Sequence, residues 1–367
     1  MARLYEQARR AGIDPNYWYA VERSSSLPPS AVMEVIFWGR SIALFRCSDG
    51  SLGAIANSCA HRRIKLSLGK VCADRLVCPY HGWQYDSTGR LVGIPHDLFG
   101  RSMPVAKVAR YPVQERYGLV WIFPGDHSRA DNTPLPEFPE AEGPHAWASV
   151  NIDFLWHAHY SIIVENLLDF THAYLHRRSR AFEDAVLTRS DTSHDKVTAE
   201  YDAKIGNGPI SGLFVNRKHV DTRHIATHFE YPYQRASIDD KIKHWCFLTP
   251  IDVRQTRVFF SIVVDFGALR VPFTSLTLPY RCAKVFLNIA KRLMIAPLIQ
   301  EDGDAVEAEQ AAVDSVAGER MVELNPVTDL VQTVIVRKWR AYEAGEKSAG
   351  QGVTLGWQIP LQQEASE

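Results

Sequence analysis

Along the first third of the chain, β-branched and aromatic residues gather in short runs separated by turn-forming residues. Tyr17–Val21, Val32–Trp38 and Ser41–Cys47 have the composition of strands. Asp49-Gly50 supplies a hairpin turn before Leu52–Ala56. Leu76–Cys78, Trp83–Asp86, Leu91–Gly93 and Tyr117–Phe123 continue the pattern, so an all-β domain is expected over roughly 17–126. Residues 127–144 then carry Pro134, Pro136, Pro139 and Pro144 among polar residues, the composition of a linker. Beyond it the rhythm changes. A strand is expected at 146–153, a helix at Ser161–His176 where proline and glycine are absent, and a strand-rich stretch over 185–264. Helical patterns at about 281–297, 300–318 and 328–345 close the chain, and a sheet covered by helices is the α+β solution for that order. The expected domains are 1–126, a linker 127–145, a second domain 146–350 and a tail 351–367.

Composition narrows the class. The chain has 367 residues, 46% hydrophobic and 23% charged, with a net charge of −1, so no global field favours nucleic acid. The N-terminal MARLYEQARRAG lacks the apolar core of a secretory signal, and a cytoplasmic location is expected. Charges and prolines break the apolar stretch Arg257–Ile299, so no transmembrane helix is expected, although Cys282–Leu298 has the pattern of an amphipathic surface segment. Six cysteines are too few for a disulfide scaffold, and without an export signal Cys and His in pairs read as a metal site.

The sharpest motif is Cys59-Ala-His61 followed by Cys78-Pro-Tyr-His81-Gly-Trp83. Two short loops each offer a thiolate and an imidazole, the donor set of a cluster in which two Cys hold one iron and two His the other. Neutral imidazoles make such a cluster less negative than an all-Cys one, so it accepts an electron more readily. Pro79 and Gly82 suit the tight turn between Cys78 and His81, and Trp83 and Tyr85 can shield the cluster. Structural zinc uses the same residue types, but common zinc modules group the Cys pair before the His pair, and here they alternate. Cys47, Cys72, Cys246 and Cys282 read as buried or loop residues.

A second motif is Glu165-Asn166-Leu-Leu-Asp169-Phe-Thr-His172-Ala-Tyr-Leu-His176. On a helix, His172 and His176 lie one turn apart on one face, with Asp169 on the same face to orient an imidazole. Two His and a carboxylate with open positions form the facial triad of non-haem Fe(II) oxygenases, and the carboxylate has to come from elsewhere in the chain. His157 and His159 are alternative ligands, while His219, His224, His228 and His244 read as polar surface or pocket-lining residues.

The C-x-H and C-P-Y-H-G-W pattern resembles the Rieske domain of ring-hydroxylating and related oxygenases, and NYWYAVERSSSLPP and FWGRSIALFR are similar to the way that domain begins. The resemblance extends over about 15–345. It implies a [2Fe–2S] cluster on Cys59, His61, Cys78 and His81, and a mononuclear Fe(II) on His172, His176 and a third ligand in a segment like Gln300–Gln310. Asp302 is the candidate there, with Asp304 the alternative. It further implies that Asn166 lies near the iron and that Asp169 bridges the two centres across subunits of a head-to-tail homotrimer. The second domain would have the helix-grip form of START and Bet v 1-like proteins. The gap of three residues between His172 and His176 is shorter than in many members.

The resemblance thus implies a terminal oxygenase that uses O₂ as co-substrate, with monooxygenation preferred over dioxygenation. Hydroxylation, oxidative demethylation and desaturation all remain open. No G-x-G-x-x-G fingerprint is present, so electrons would arrive through an external ferredoxin or reductase, with NAD(P)H only an indirect source. Arg62, Arg63, Lys70, Arg177, Arg178 and Arg180 are either a docking surface for an acidic carrier or solvated loop charges. Phe214, Phe229, Tyr231, Tyr233, Trp245, Phe247, Phe259, Phe260, Phe266 and Phe273 suggest a small apolar or aromatic substrate. The alternative function is an electron carrier akin to Rieske ferredoxins, which leaves the 166–176 motif without a task.

Overall fold

The structure is a computed structural model that describes residues 3–142, 147–176, 181–205, 221–265, 285, 287–315 and 321–349. Two compact units emerge: Asp14–Pro136, and a second that joins Met1–Ile13 to Glu137–Glu367.

The first unit is built from ten short strands in three antiparallel sheets. β1 (Tyr19–Arg23) pairs with β10 (Leu119–Ile122), which pairs with β9 (Val113–Arg116). β2 (Val32–Phe37), β3 (Arg40–Arg46) and β4 (Leu52–Ala56) form a meander, and β5 (Lys70–Cys72), β6 (Arg75–Val77), β7 (Gln84–Tyr85) and β8 (Leu91–Gly93) form another. Phe45, Ile55, Leu66, Leu76 and Tyr85 pack one buried core, and Cys59 and Cys78 belong to it.

In the second unit, seven antiparallel strands run in the order β11, β17, β16, β15, β14, β13, β12. They are β11 (Trp147–Trp156), β12 (Glu183–Ser193), β13 (Lys196–Ile205), β14 (Asp221–Glu230), β15 (Tyr233–Ile238), β16 (Ile242–Pro250) and β17 (Thr256–Asp265). Among the described residues they are accompanied by the α-helices α1 (Leu4–Arg9), α2 (Tyr160–Leu168), α3 (Ala296–Ser315) and α4 (Pro326–Ala349). The α+β reading holds. Tyr201 Oη donates to the Leu168 carbonyl at 3.0 Å and Gln234 Nε2 to the Leu167 carbonyl at 3.4 Å, which identifies the sheet face that carries α2. Directly opposed residues of antiparallel strands share a face. The pairs Gln234↔Cys246, Ala236↔His244, Cys246↔Phe260 and Phe154↔Val258 therefore carry that face across to β11.

Two sequence expectations need correcting. Residues 1–13 do not lead into the cluster domain; they pack in the second unit because Arg9 is buried there. Its guanidinium bonds Glu165 at 2.5 and 2.8 Å, Glu309 at 2.8 Å and Ser161 Oγ at 2.8 Å. The Pro-rich linker is also less free than its composition implies. Trp18 Nε1 holds the Thr133 carbonyl at 2.8 Å on one side of the boundary, and Phe138 packs on Trp245 at 5.2 Å on the other.

Candidate metal centres

The two Cys–His loops of the first unit share one backbone plan. The Arg63 N–H donates to the Cys59 carbonyl and the Cys59 N–H to Ile64, both at 2.9 Å. In the second loop Gly82 donates to Cys78 at 3.1 Å and Cys78 to Trp83 at 2.8 Å. The fourth residue after each Cys is left-handed, Arg63 at φ 59° and Gly82 at φ 69°, a conformation glycine adopts without strain. At 82 a side chain is doubly excluded, since a Cβ there would approach Pro95 Cγ to 2.7 Å.

These loops sort the four ligands by depth. Cys59 and Cys78 are buried next to each other as free thiols, whereas His61 is exposed and His81 half-exposed. The imidazoles lie 4.6 Å apart, and Trp83 stacks on His61 at 4.7 Å. Tyr85 Oη lies 3.2 Å from Cys59 Sγ and accepts the Ala60 N–H at 3.0 Å. Burial pushes the Cys78 thiol up, so the thiolate needs a cation to form. Desolvation, then the positive charges of His61 and Arg62, hold His81 below its usual range and keep it neutral, the form a metal accepts. Sulfur inside and nitrogen outside fits a [2Fe–2S] cluster whose His end meets solvent.

The second constellation lies in the other unit. His172, His176 and Asp302 each present a ligand atom within 4.8 Å of the others. Both Nε2 atoms stand 3.3 Å from Asp302 Oδ1, and that buried oxygen has no hydrogen bond among the described residues. A bound cation satisfies all three atoms at once, so the site fits iron. His176 Nδ1 meets Glu301 Oε2 at 2.9 Å, which places the proton on Nδ1 and turns the Nε2 lone pair toward Asp302. Burial works against charge on Asp302, but the two imidazoles more than offset it and hold the carboxyl below its usual range. Phe182 packs against both imidazoles at 5.5 and 5.4 Å. Of the two candidate carboxylates, Asp302 stands with the imidazoles, whereas Asp304 is exposed and accepts from Gln300 at 2.9 Å.

The helix expected to carry both His ends early. α2 stops at Leu168, and Asp169 is extended at φ −93°, ψ 109°. Its Oδ1 accepts the Thr171 N–H and hydroxyl, each at 2.7 Å, a side-chain turn that competes with the helical ladder. His172 and His176 therefore approach one another through turns rather than along one helical face. Asn325 Nδ2 donates to the same Asp169 oxygen at 2.8 Å, while Asn325 Oδ1 caps α4 through the Val327 N–H at 3.0 Å. Among the described residues the bonds of Asp169 thus go to Thr171 and Asn325, and not to an iron-site imidazole. Asn166 Oδ1 is buried without a partner among the described residues. Asn166, Asp169 and His172 line a cavity of about 490 Å³ together with Arg3, Tyr5 and Met321.

Neither of the alternative ligands joins the site: His157 bonds Glu307, and His159 bonds Ser161 and the Ala11 carbonyl. Trp245, Phe247 and Phe259 lie on the sheet face away from α2, whereas Phe260 shares the α2 face. Phe214, Phe266, Phe273, Arg177, Arg178, Arg180, His219 and Cys282 lie outside the described residues. Sequence reasoning missed Glu301 and Asn325; the Asn-Pro pair that opens α4 was the only local signal for the second.

Known proteins agree with both centres. Residues 17–104 match the Rieske [2Fe–2S] domain family, and residues 156–344 match the vanillate O-demethylase oxygenase C-terminal domain family. The chain belongs to the Rieske oxygenase family. It is similar to a 4β-methylsterol monooxygenase of Methylococcus capsulatus, 40% identical over 94% of this chain and 93% of that protein. The oxygenase component of dicamba O-demethylase from Stenotrophomonas maltophilia is 32% identical over 54% of this chain and 55% of that protein. In fold, the chain resembles dicamba monooxygenase bound to 3,6-dichlorosalicylic acid, with TM-score 0.74 at 23% identity, over 93% of this chain and all of that one.

As a Rieske oxygenase, the protein is a terminal oxygenase component with a [2Fe–2S] cluster and a mononuclear iron. The electron-carrier reading falls, because the oxygenase C-terminal domain accounts for residues 156–344. Among the described residues no helix is long and apolar enough to cross a membrane.

Proposed function

We propose that this Rieske oxygenase is a monooxygenase that oxidises a methyl group on an apolar polycyclic alcohol of the methylsterol class. The carrying observation is the 40% identity to a 4β-methylsterol monooxygenase along nearly the full length of both chains. His172, His176 and Asp302 hold the iron, and Cys59, His61, Cys78 and His81 hold the cluster. The iron, when bound, supplies O₂ activation. Glu301 fixes the His176 tautomer, and Phe182 packs against both imidazoles and helps to hold them in place. Conversion of R–CH₃ to R–CH₂OH consumes one O₂, two electrons and two protons and releases one water.

An external ferredoxin or reductase supplies the electrons, docking where His61 is exposed beside Arg62 and Arg63. Asp169, on the wall of the 490 Å³ cavity with exposed Met321 and Val322, is the entry point for electrons from a neighbouring copy in a head-to-tail trimer. An exposed free thiol at Cys72 suits the reducing cytoplasm. The test is turnover of 4β-methylcholestanol under ¹⁸O₂ with a surrogate reductase. The expected result is sterol-stimulated O₂ uptake and one labelled oxygen in a hydroxymethyl product. No stimulation, or two labelled oxygens per product, would contradict the reading.

A further inference from the structure

On the sheet face that carries α2, β16 presents one ring unlike its neighbours. His244 stands opposite Ala236 and Ile262, two residues before Cys246, on a face whose other polar side chains, Gln234 and Thr227, bond each other. The residue is half-buried, yet its Nε2 is screened from solvent and has no hydrogen-bond partner among the described residues. Its ring meets the edge of Phe260 at 6.0 Å, and Phe260 in turn meets Trp156 at 6.0 Å. Trp156 lies against Gly303, the neighbour of Asp302, so closely that a Cβ at 303 would overlap the indole. A row of packed groups thus runs from His244 through Phe260 and Trp156 to Gly303, beside Asp302. Folded proteins rarely leave a buried nitrogen unsatisfied unless a ligand completes it.

We propose that His244 is the specificity-determining residue of this site, where it donates to or accepts from one neutral hydroxyl of an otherwise apolar substrate and so sets which methyl group faces the iron. The inference rests on the methylsterol reading above, since a sterol is an apolar polycycle with a single hydroxyl. The chemistry selects a neutral group. Burial holds the His244 pKa down near 4, so the ring is uncharged at neutral pH, and the nearby Asp302 carboxylate repels an anion. A site built to bond a hydroxyl discriminates strongly against the analogue that lacks it, because its own polar group is then left unpaired.

The experiment compares 4β-methylcholestanol with 4β-methylcholestane in the full-length oxygenase, loaded with both metal centres and supplied with a surrogate reductase. Wild type should favour the alcohol at least about tenfold in kcat/KM. His244→Leu should lose that preference to within about twofold, chiefly through a raised KM for the alcohol, with iron and cluster content matching wild type. His244→Gln, which keeps a hydrogen-bonding head, should recover part of it. Retention of the preference in His244→Leu, or an equal loss with both compounds, would overturn the assignment. Equal turnover of both compounds by wild type would overturn it while leaving the methylsterol reading in place. Oxidation of neither would sink both.

Discussion

Asp302→Ala should lose the mononuclear iron and with it turnover, while the visible and EPR spectra of the reduced cluster stay as in wild type. The reason lies in charge. Two neutral imidazoles hold a divalent cation weakly in a partly buried site, and Asp302 is the anion that both Nε2 atoms face at 3.3 Å. Removing it also removes the buried oxygen that both imidazoles face and that has no hydrogen bond among the described residues. Glu301 does not substitute, since it is engaged with His176 Nδ1 on the far side of the ring. Product formation should fall by at least about a hundredfold, beyond the usual effect of losing a residue that merely supports a ligand. Asp304→Ala is the control: that exposed carboxylate bonds Gln300 and should keep iron and activity. Iron content per chain, measured on both variants after anaerobic loading, decides between them.

The second large effect is expected far from the metals in sequence. Arg9→Ala should destabilise the oxygenase unit by about 3–5 kcal/mol, because it leaves Glu165 and Glu309 facing each other without their shared cation. The side chain of Arg9 is 6% exposed and that of Glu165 is 10% exposed, so water cannot take over the pairing. In calorimetry this corresponds to a drop of roughly 10 °C in the transition of that unit. The cluster spectrum, which reports on the other unit, should survive at temperatures where the oxygenase unit has melted. Arg9→Met combined with Glu165→Met should recover much of the loss, since an apolar pair of similar volume removes the stranded charge. If Arg9→Ala melts within a degree of wild type, the buried ion pair does not hold α1 in place.

How much of the fold and the site is legible in the chain depends on distance along it. The proposed cluster ligands sit in two short segments, and their residue types, order and spacing point to the centre. What spacing hides is that a C-x-H and a C-x-x-H loop share one backbone plan, with Arg63 doing in the first what Gly82 does in the second. His172 and His176 are legible as a pair but not in their conformation. A run free of glycine and proline reads as one helix, and only the side-chain turn of Asp169 onto Thr171 ends it at Leu168. Asp302 requires the family resemblance, because nothing local relates it to residues 126 to 130 positions earlier. Asn325, Glu301 and the burial of Arg9 depend on contacts between distant segments and leave little trace in sequence. His244 looks like any polar residue in a strand until the register puts it on the face shared with α2.

The most direct measurement is the iron, zinc and acid-labile sulfide content of protein reconstituted anaerobically, set beside its Mössbauer spectrum. The account predicts about three irons and two sulfides per chain, with one iron in a mononuclear high-spin ferrous environment and two in a cluster with inequivalent Cys and His ends. Zinc without sulfide, or cluster iron alone with His172, His176 and Asp302 intact, would contradict it.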